Sequence, residues 1–364
     1  MPSDQQDKPA RVHDLLRPDV LAAFDRDTFE REGYWVWENV LTDAGRARFT
    51  AGLKKLQQIN DRIVMDTDWA AIDYESYGVT RPSQKAMTTK SRADSCGGSE
   101  QNPLDIGELR RVSHVRGMHE MTAQGYETHG MFPEYFPPAY DDFLLDVTTE
   151  HPQMMQLLSS VLGDRFVLDH CVMLNRAPDR PGRTWHAHVY REGQHEVEDD
   201  VGTGRFVTKE FLTQQCVRNL AYPEGATIED GGELAVIPGS HLYRIPFKAT
   251  ANRTDYHDDM QAGWLVGKTH PFTGKPLEIR TLSVGPGTII SFVHHMPHYA
   301  GHRSADAETR WSILMAYRTP DPDAEPARWT KGVSAHWADR ALATGKLSPA
   351  AVQIFQGENA ARLD

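Results

Sequence analysis

The chain has 364 residues, of which 39% are hydrophobic and 25% are charged, and its formal net charge is −12 at pH 7. These proportions are typical of an ordinary globular protein with a full hydrophobic core, and we expect one elaborated domain over residues 1–364. The acidic balance argues against nucleic acid or an anionic membrane as a main partner, because neutralising phosphates requires a concentrated basic surface.

The expected location is the cytoplasm. The N-terminal residues lack the apolar core of a secretory signal, and no later run approaches the length of a membrane span. The cysteines are odd in number and widely spaced, which fits reduced thiols better than a disulfide framework. They are Cys96 in a polar loop, and Cys171 and Cys216 in apolar runs that should be part of the core.

The first part of the chain predicts an arm, a strand and a helix. Residues 1–26 are polar and contain proline, so we expect an N-terminal arm with one short helical turn. Tyr34 to Trp37 form a short apolar run typical of a strand, and Thr42 then caps a helix that has Asp43 in its first turn. The apolar residues of this helix recur at helical spacing and should face the core: Phe49, Leu53, Leu56, Ile59 and Ile63.

A second helix is indicated after residue 150. Pro152 suits the first turn, and Gly163 follows as a C-terminal stop. Its expected core-facing stripe consists of Met155, Leu158 and Leu162. Two other segments have weak periodicity: residues 65–135 predict a lid or insert, and residues 321–364 predict a C-terminal extension with a helix starting near Ser348.

Two histidine-rich segments carry the chemistry. In the stretch from Thr184 to Tyr190, His186 and His188 are two residues apart, so on an extended backbone both imidazoles project to one side. The second segment contains four histidines: His294, His295, His298 and His302. Beyond it, Arg310 and Ser312 are again two apart and should share one side of a strand.

Three motifs resemble the phytanoyl-CoA dioxygenase family of iron(II) and 2-oxoglutarate oxygenases. His186 and His188 resemble the family's H-x-D motif, with histidine in the place of the aspartate. The segment GGELAVIPGSH, from Gly231 to His241, is similar to a family signature that lies between the two metal motifs. The opening from Phe29 to Tyr34 also resembles the family, and the resemblance runs from there to Arg318, apart from the predicted lid.

This resemblance implies a fold and a set of site residues. The fold would be an all-β core with added helices, in the form of a double-stranded β-helix or jelly-roll barrel. His186 and His298 would bind Fe(II), and His298 is chosen because it precedes Arg310 by twelve residues, near the family's spacing; His302 is the reserve candidate. Arg310 and Ser312 would hold a carboxylate of 2-oxoglutarate, and Asn175 would contact the same cosubstrate.

The role of His188 is left open by the sequence. It is a third ligand in the first interpretation, which gives a three-histidine site with one more positive charge than the usual triad. In the second, Glu192 or Glu196 supplies the carboxylate. In the third, His188 points away and a water molecule or an anion takes its place.

The implied function is hydroxylation of a small-molecule metabolite with O2 and 2-oxoglutarate. One rival is a three-histidine metal dioxygenase that binds its substrate directly, without 2-oxoglutarate, so that Arg310 holds a carboxylate of the substrate. The other is a non-catalytic metal- or ligand-binding barrel. The sequence does not choose between hydroxylation, desaturation and ring formation, and it indicates neither the substrate nor the oligomeric state.

Overall fold

Two antiparallel β-sheets form the centre of the computed structural model, which describes residues 11–65, 141–174, 176, 178, 185–187, 216–243, 257–294, 296–319 and 354. The described helices are α1 (Pro18–Ala22), α2 (Arg26–Glu32), α3 (Asp43–Met65), α4 (Asp142–Thr149), α5 (Pro152–Leu162) and α6 (His257–Ala262). The described strands are β1 (Tyr34–Trp37), β2 (Val167–Met173), β3 (Cys216–Tyr222), β4 (Leu234–Val236), β5 (Arg280–Leu282), β6 (Thr288–Val293), β7 (His298–Ala300) and β8 (Ile313–Arg318). None of these helices combines the length and hydropathy that a membrane crossing requires.

The strand order brings distant parts of the chain together. The five-stranded sheet has the order β1-β6-β3-β8-β2, and the three-stranded sheet has the order β5-β4-β7. Two isolated antiparallel bridges continue these sheets: Arg176 pairs with Arg310 beyond the β2-β8 ladder, and His186 pairs with His298 at β7. Both bridges therefore join residues that the sequence singled out to residues far away along the chain.

The large sheet is apolar on both faces. On β6, Ile290 and Phe292 pack in one cluster with Val236 of the small sheet. Ile289 and Val293 belong instead to the cluster formed with the helices. This alternation follows from the two-residue repeat of a strand. We call the face of the large sheet that packs against the small sheet the inner face.

The helical layer confirms several of the predicted elements. β1 spans Tyr34–Trp37, and α3 is capped by Thr42, whose Oγ1 accepts a hydrogen bond from the Gly45 N–H at 3.1 Å. α5 begins at Pro152 and ends before Gly163. Phe49, Leu53 and Leu56 are fully buried. The side chains of Ile59 and Ile63 lie outside the described part of the structure.

The structure corrects two of the expectations. The buried face of α5 consists of Met154, Leu157, Leu158 and Val161. Met155 and Leu162, predicted for this face, are only partly buried, because the helix is rotated relative to the predicted stripe. The segment predicted as a polar arm also contributes to the core, since Leu15, Leu16 and Leu21 are buried between the helices and the sheet.

Other predictions are met or lie outside the described residues. Cys171 and Cys216 are buried, as predicted, and no disulfide joins them to another described residue. The predicted lid at 65–135 and nearly all of the extension at 321–364 are not described, apart from helical, buried Ile354. The sheet-rich core with added helices agrees with the predicted fold class, whereas closure into a barrel stays a prediction.

Candidate functional site

His186 and His298 face each other on the inner side of the small sheet. Each backbone N–H donates to the other's carbonyl, at 3.1 Å for His186 and 2.9 Å for His298. Directly opposed residues in an antiparallel pair project to the same side, so the imidazoles are neighbours. The ring centroids are 4.1 Å apart and the ring planes are inclined by 54°. The structure thus brings together the two histidines that the sequence proposed as metal ligands.

The hydrogen bond of His298 selects its tautomer. Its Nδ1 lies 2.8 Å from the carbonyl oxygen of Met296. Because a carbonyl only accepts, Nδ1 carries a proton, and in the neutral imidazole Nε2 then carries the lone pair. Metal-binding histidines commonly donate their second nitrogen to a backbone carbonyl in this way, which fixes the ring. In its neutral form, His298 would therefore present the unprotonated Nε2 to a metal.

Apolar packing holds the histidine pair from both sides. The ring of Phe292, on the inner face, meets the His298 ring edge-on with centroids 5.0 Å apart. On the opposite side of the small sheet, Trp185 and Tyr299 stack with centroids 5.5 Å apart. Alternation along the two strands thus gives the histidines one side and the aromatic pair the other.

The remaining histidines of the second segment are placed differently. His294 is buried, and its Nδ1 lies 2.8 Å from the sulfur of Cys216. His302 is exposed, and His295 lies outside the described residues. Of the described candidates, His298 is thus the one whose ring contacts His186.

The candidates for a third ligand, and the proposed cosubstrate contact Asn175, lie outside the described part of the chain. His188, Glu192, Glu196 and Asn175 all fall there. Among the residues that are described, no group of three His, Cys, Asp or Glu side chains is arranged to hold a metal ion. The described geometry thus consists of two converging imidazoles, and the choice between the three interpretations of His188 stays a prediction.

Arg310 is a buried cation on the inner face. Its Cζ lies 5.0 Å from the centre of the Tyr222 ring, and its Nη1 donates to the carbonyl of Gly232. Among the described residues, its buried Nε has no hydrogen-bond partner and its guanidinium forms no ion pair with a carboxylate. Burial lowers the pKa of the Arg310 guanidinium. A buried positive charge with no described counter-ion would be stabilised by an anion bound beside it.

Ser312, predicted to act with Arg310, is fully buried. Its hydroxyl donates to the carbonyl of Leu174 on the neighbouring segment. A hydroxyl that donates in this way still has lone pairs with which to accept. The structure thus places Ser312 near the start of β8 without assigning it a ligand, and its role with 2-oxoglutarate stays a prediction.

Sequence reasoning missed three buried arginines. Arg176 is bridged to Arg310, Arg303 donates to the carbonyls of Gly231 and Glu308, and Arg218 lies in β3 opposite Phe292. Arg176 directly follows Asn175, which the sequence proposed as a contact of 2-oxoglutarate. This neighbour was the one local signal that pointed to Arg176. The pairing with Arg310 is not readable from local spacing.

The histidine pair and Arg310 lie along the same part of the small sheet. His298 is in register with Val236, and Gly232, which accepts from Arg310, precedes Val236 by four residues. Both side chains lie on the inner side, so a ligand that reached both would carry its anionic group at Arg310.

Comparisons with known proteins yield solved structures only. No protein-family model matches the sequence, and no curated protein matches it. AviO1 from Streptomyces viridochromogenes Tue57 is 17% identical with a TM-score of 0.43, over 86% of this chain and 98% of that chain. EctD from S. alaskensis, solved with 2-oxoglutarate and 5-hydroxyectoine, is 15% identical with a TM-score of 0.43, over 89% of each chain. These values are too low to assign a fold or a function to this chain.

Proposed function

We propose that this protein is a non-haem Fe(II) and 2-oxoglutarate-dependent oxygenase that hydroxylates a small molecule with O2. The observation that carries the proposal is the His186–His298 bridge, with its two imidazoles 4.1 Å apart, on the same inner side as the buried Arg310. A double-stranded β-helix of the phytanoyl-CoA dioxygenase type is part of the same proposal, and the two facing sheets support it.

The residues have distinct roles in this proposal. His186 and His298 hold the iron, and His188 completes a three-histidine site. When bound, iron supplies the activation of dioxygen, which is coupled to decarboxylation of 2-oxoglutarate to succinate. Arg310 binds the far carboxylate of 2-oxoglutarate, with Ser312 and Asn175 as further contacts.

The described side chains support binding and orientation at the site. The Met296 carbonyl keeps the proton of His298 on Nδ1, so that Nε2 stays available to the metal. The inner-face cluster, which includes Leu220, Ile290 and Leu314, packs apolar groups between the sheets beside the site. Excluding water strengthens the attraction between the Arg310 guanidinium and a carboxylate. The same exclusion protects a reactive centre from side reactions.

The test is anaerobic loading of the purified protein with ferrous iron and 2-oxoglutarate, followed by exposure to O2 with a panel of small metabolites. Succinate formation that is stimulated by one of them is the expected result. Iron binding together with substrate oxidation that needs no 2-oxoglutarate would favour the direct-binding dioxygenase. A protein that holds no ferrous iron under these conditions would favour the non-catalytic barrel.

Replacing His188 with Asp tests the three-histidine site itself. Histidine is neutral as a ligand, so the site is built around one more positive charge than a carboxylate would leave. We expect His188→Asp to abolish succinate formation while the protein stays folded. Activity that rises in this variant would show that the histidine is a tolerated deviation from the usual triad.

A further inference from the structure

Arg176 and Arg310 lie side by side at Gly232. The backbone N–H of each donates to the other's carbonyl, at 2.9 Å for Arg176 and 2.8 Å for Arg310. A Cβ atom built on Gly232 would lie 3.3 Å from Arg310 Nη1 and 3.7 Å from Arg176 Cδ. Both side chains therefore pass over the same glycine.

The two guanidinium groups are buried together. Arg176 is 6% exposed and Arg310 is 5% exposed. Burial, reinforced by repulsion from Arg310, lowers the pKa of Arg176 to about 9. Two like charges in a desolvated environment destabilise each other, and an anion between them would relieve this.

The nearby groups do not neutralise Arg310 by direct contact. Asp230 and Glu233 stabilise the charged guanidinium of Arg310 electrostatically, without touching it. The guanidinium also lies over the face of the Tyr222 ring. The neighbouring Arg303 is engaged differently, because its guanidinium donates to backbone carbonyls and lies 3.9 Å from Asp230. Arg303 thus stabilises the backbone at Gly231 and Glu308. Arg310, in contrast, has a buried Nε without a described hydrogen-bond partner.

We infer that Arg176 is a second binding residue of the carboxylate site, acting with Arg310 on the far carboxylate of the bound dicarboxylate. The identity of that ligand as 2-oxoglutarate rests on the proposed function. A carboxylate has two oxygens with about four acceptor positions, so two planar guanidinium groups can be satisfied at once. Gly232 leaves the space that the two side chains need.

The experiment measures binding rather than turnover. Titration calorimetry on metal-free protein uses 2-oxoglutarate and glutarate, which has the same length but no keto group to chelate a metal. The variants are Arg176→Gln and Arg176→Lys. The matched control is Arg280→Gln, which also removes one positive charge, from an exposed arginine that donates to the Tyr34 hydroxyl.

Arg176→Gln should weaken the binding of both dicarboxylates by about tenfold to a hundredfold, the usual effect of losing a charge-assisted hydrogen bond. Arg176→Lys should weaken it by at least about threefold, since an ammonium lacks the planar fork. Arg280→Gln should bind both ligands as the wild type does. If Arg176→Gln does not fold, the lysine variant decides the outcome.

Two results would overturn the inference. The first is unchanged affinity in folded Arg176→Gln or in Arg176→Lys, and the second is a wild-type protein that binds neither dicarboxylate. The proposed function fails separately: glutarate binding that depends on Arg176, without any succinate formation from 2-oxoglutarate, would retain the carboxylate site and reject the oxygenase.

Discussion

His186 and His298 are joined by a reciprocal pair of backbone hydrogen bonds, in which each N–H donates to the carbonyl of the other. The backbone contact that extends the small sheet beyond β7 is thus the same contact that sets the two imidazoles side by side. Trp185 and Tyr299, stacked on the opposite side, keep this register. A slip of one residue in the 185–187 segment would turn His186 away from the inner face, where His298 lies.

The first prediction concerns metal binding. His186→Ala and His298→Ala should each weaken the binding of Mn(II) or anaerobic Fe(II). The expected loss exceeds the roughly 10- to 100-fold that removal of an outer-shell partner costs. Calorimetry or electron paramagnetic resonance of Mn(II) measures it. His302→Ala, which changes an exposed histidine of the same segment, is the control and should bind as the wild type does; equal affinity in all three variants would contradict the site.

The second prediction concerns a buried polar chain between β1, β6 and β3. The indole N–H of Trp37 donates to Ser291 Oγ at 2.9 Å, and Ser291 Oγ donates to Asn219 Oδ1 at 2.6 Å. Ser291→Ala leaves a buried donor and a buried acceptor unsatisfied. The free energy of unfolding should therefore fall by about 2–3 kcal/mol.

Urea unfolding followed by tryptophan fluorescence measures this change. Ser160→Ala is the matched control, because its hydroxyl makes an exposed bond to Gln156 within α5. The control should stay within about 0.5 kcal/mol of the wild type. A Ser291→Ala variant as stable as this control would show that the chain contributes nothing.

The third prediction concerns pH and His151. Its Nε2 donates to the Val12 carbonyl at 2.9 Å, and its Nδ1 is buried without a hydrogen-bond partner among the described residues. Burial lowers the pKa of His151 below its ordinary value of 6.5. As the pH falls below about 6.5, the unfolded chain binds a proton that the folded protein does not, so stability falls by up to about 1.4 kcal/mol per pH unit.

His151→Gln should reduce this acid sensitivity, because an amide can still donate to Val12 but does not titrate. Urea midpoints at pH 7.5, 6.5 and 5.5 give the comparison. The variant should lose less stability than the wild type over that interval, while His302→Gln should follow the wild type. Parallel pH profiles for His151→Gln and the wild type would contradict this account.

The fourth prediction concerns Gly33, which joins α2 to β1 with φ +80°. An added Cβ would lie 2.2 Å from His241 Nδ1 and 2.4 Å from Met296 Cε. His241 cannot withdraw freely, since its Nε2 is bonded to the Glu30 carbonyl at 2.9 Å. Gly33→Ala should lower the free energy of unfolding by about 2–4 kcal/mol, from backbone strain plus overlap.

Gly274→Ala separates these two causes. Gly274 also has positive φ, at +68°, but an added Cβ there would meet nothing within 4 Å. Its replacement should therefore cost about 1–2 kcal/mol from the left-handed backbone alone. Chemical unfolding of both variants tests the difference, and equal losses would remove the steric argument.

Local patterns were sufficient for several elements. Tyr34–Trp37 is a strand, Thr42 caps α3, and α5 runs from Pro152 to the residue before Gly163. Capping residues, proline and glycine act on their own backbone, so their effect can be read from neighbouring letters. The face of α5 was predicted less well, because the helix's rotation depends on what it packs against.

The sequence by itself determined which candidate site residues the chain carries: histidines two apart, a later histidine segment, and an arginine and a serine two apart. The tertiary structure decided which of these residues meet. It paired His186 with His298 and left His302 exposed. It also put Arg176 beside Arg310, which no spacing in the chain indicated. Alternation along a strand sets only the side to which a residue projects, whereas its neighbours depend on the order and register of strands distant in the chain.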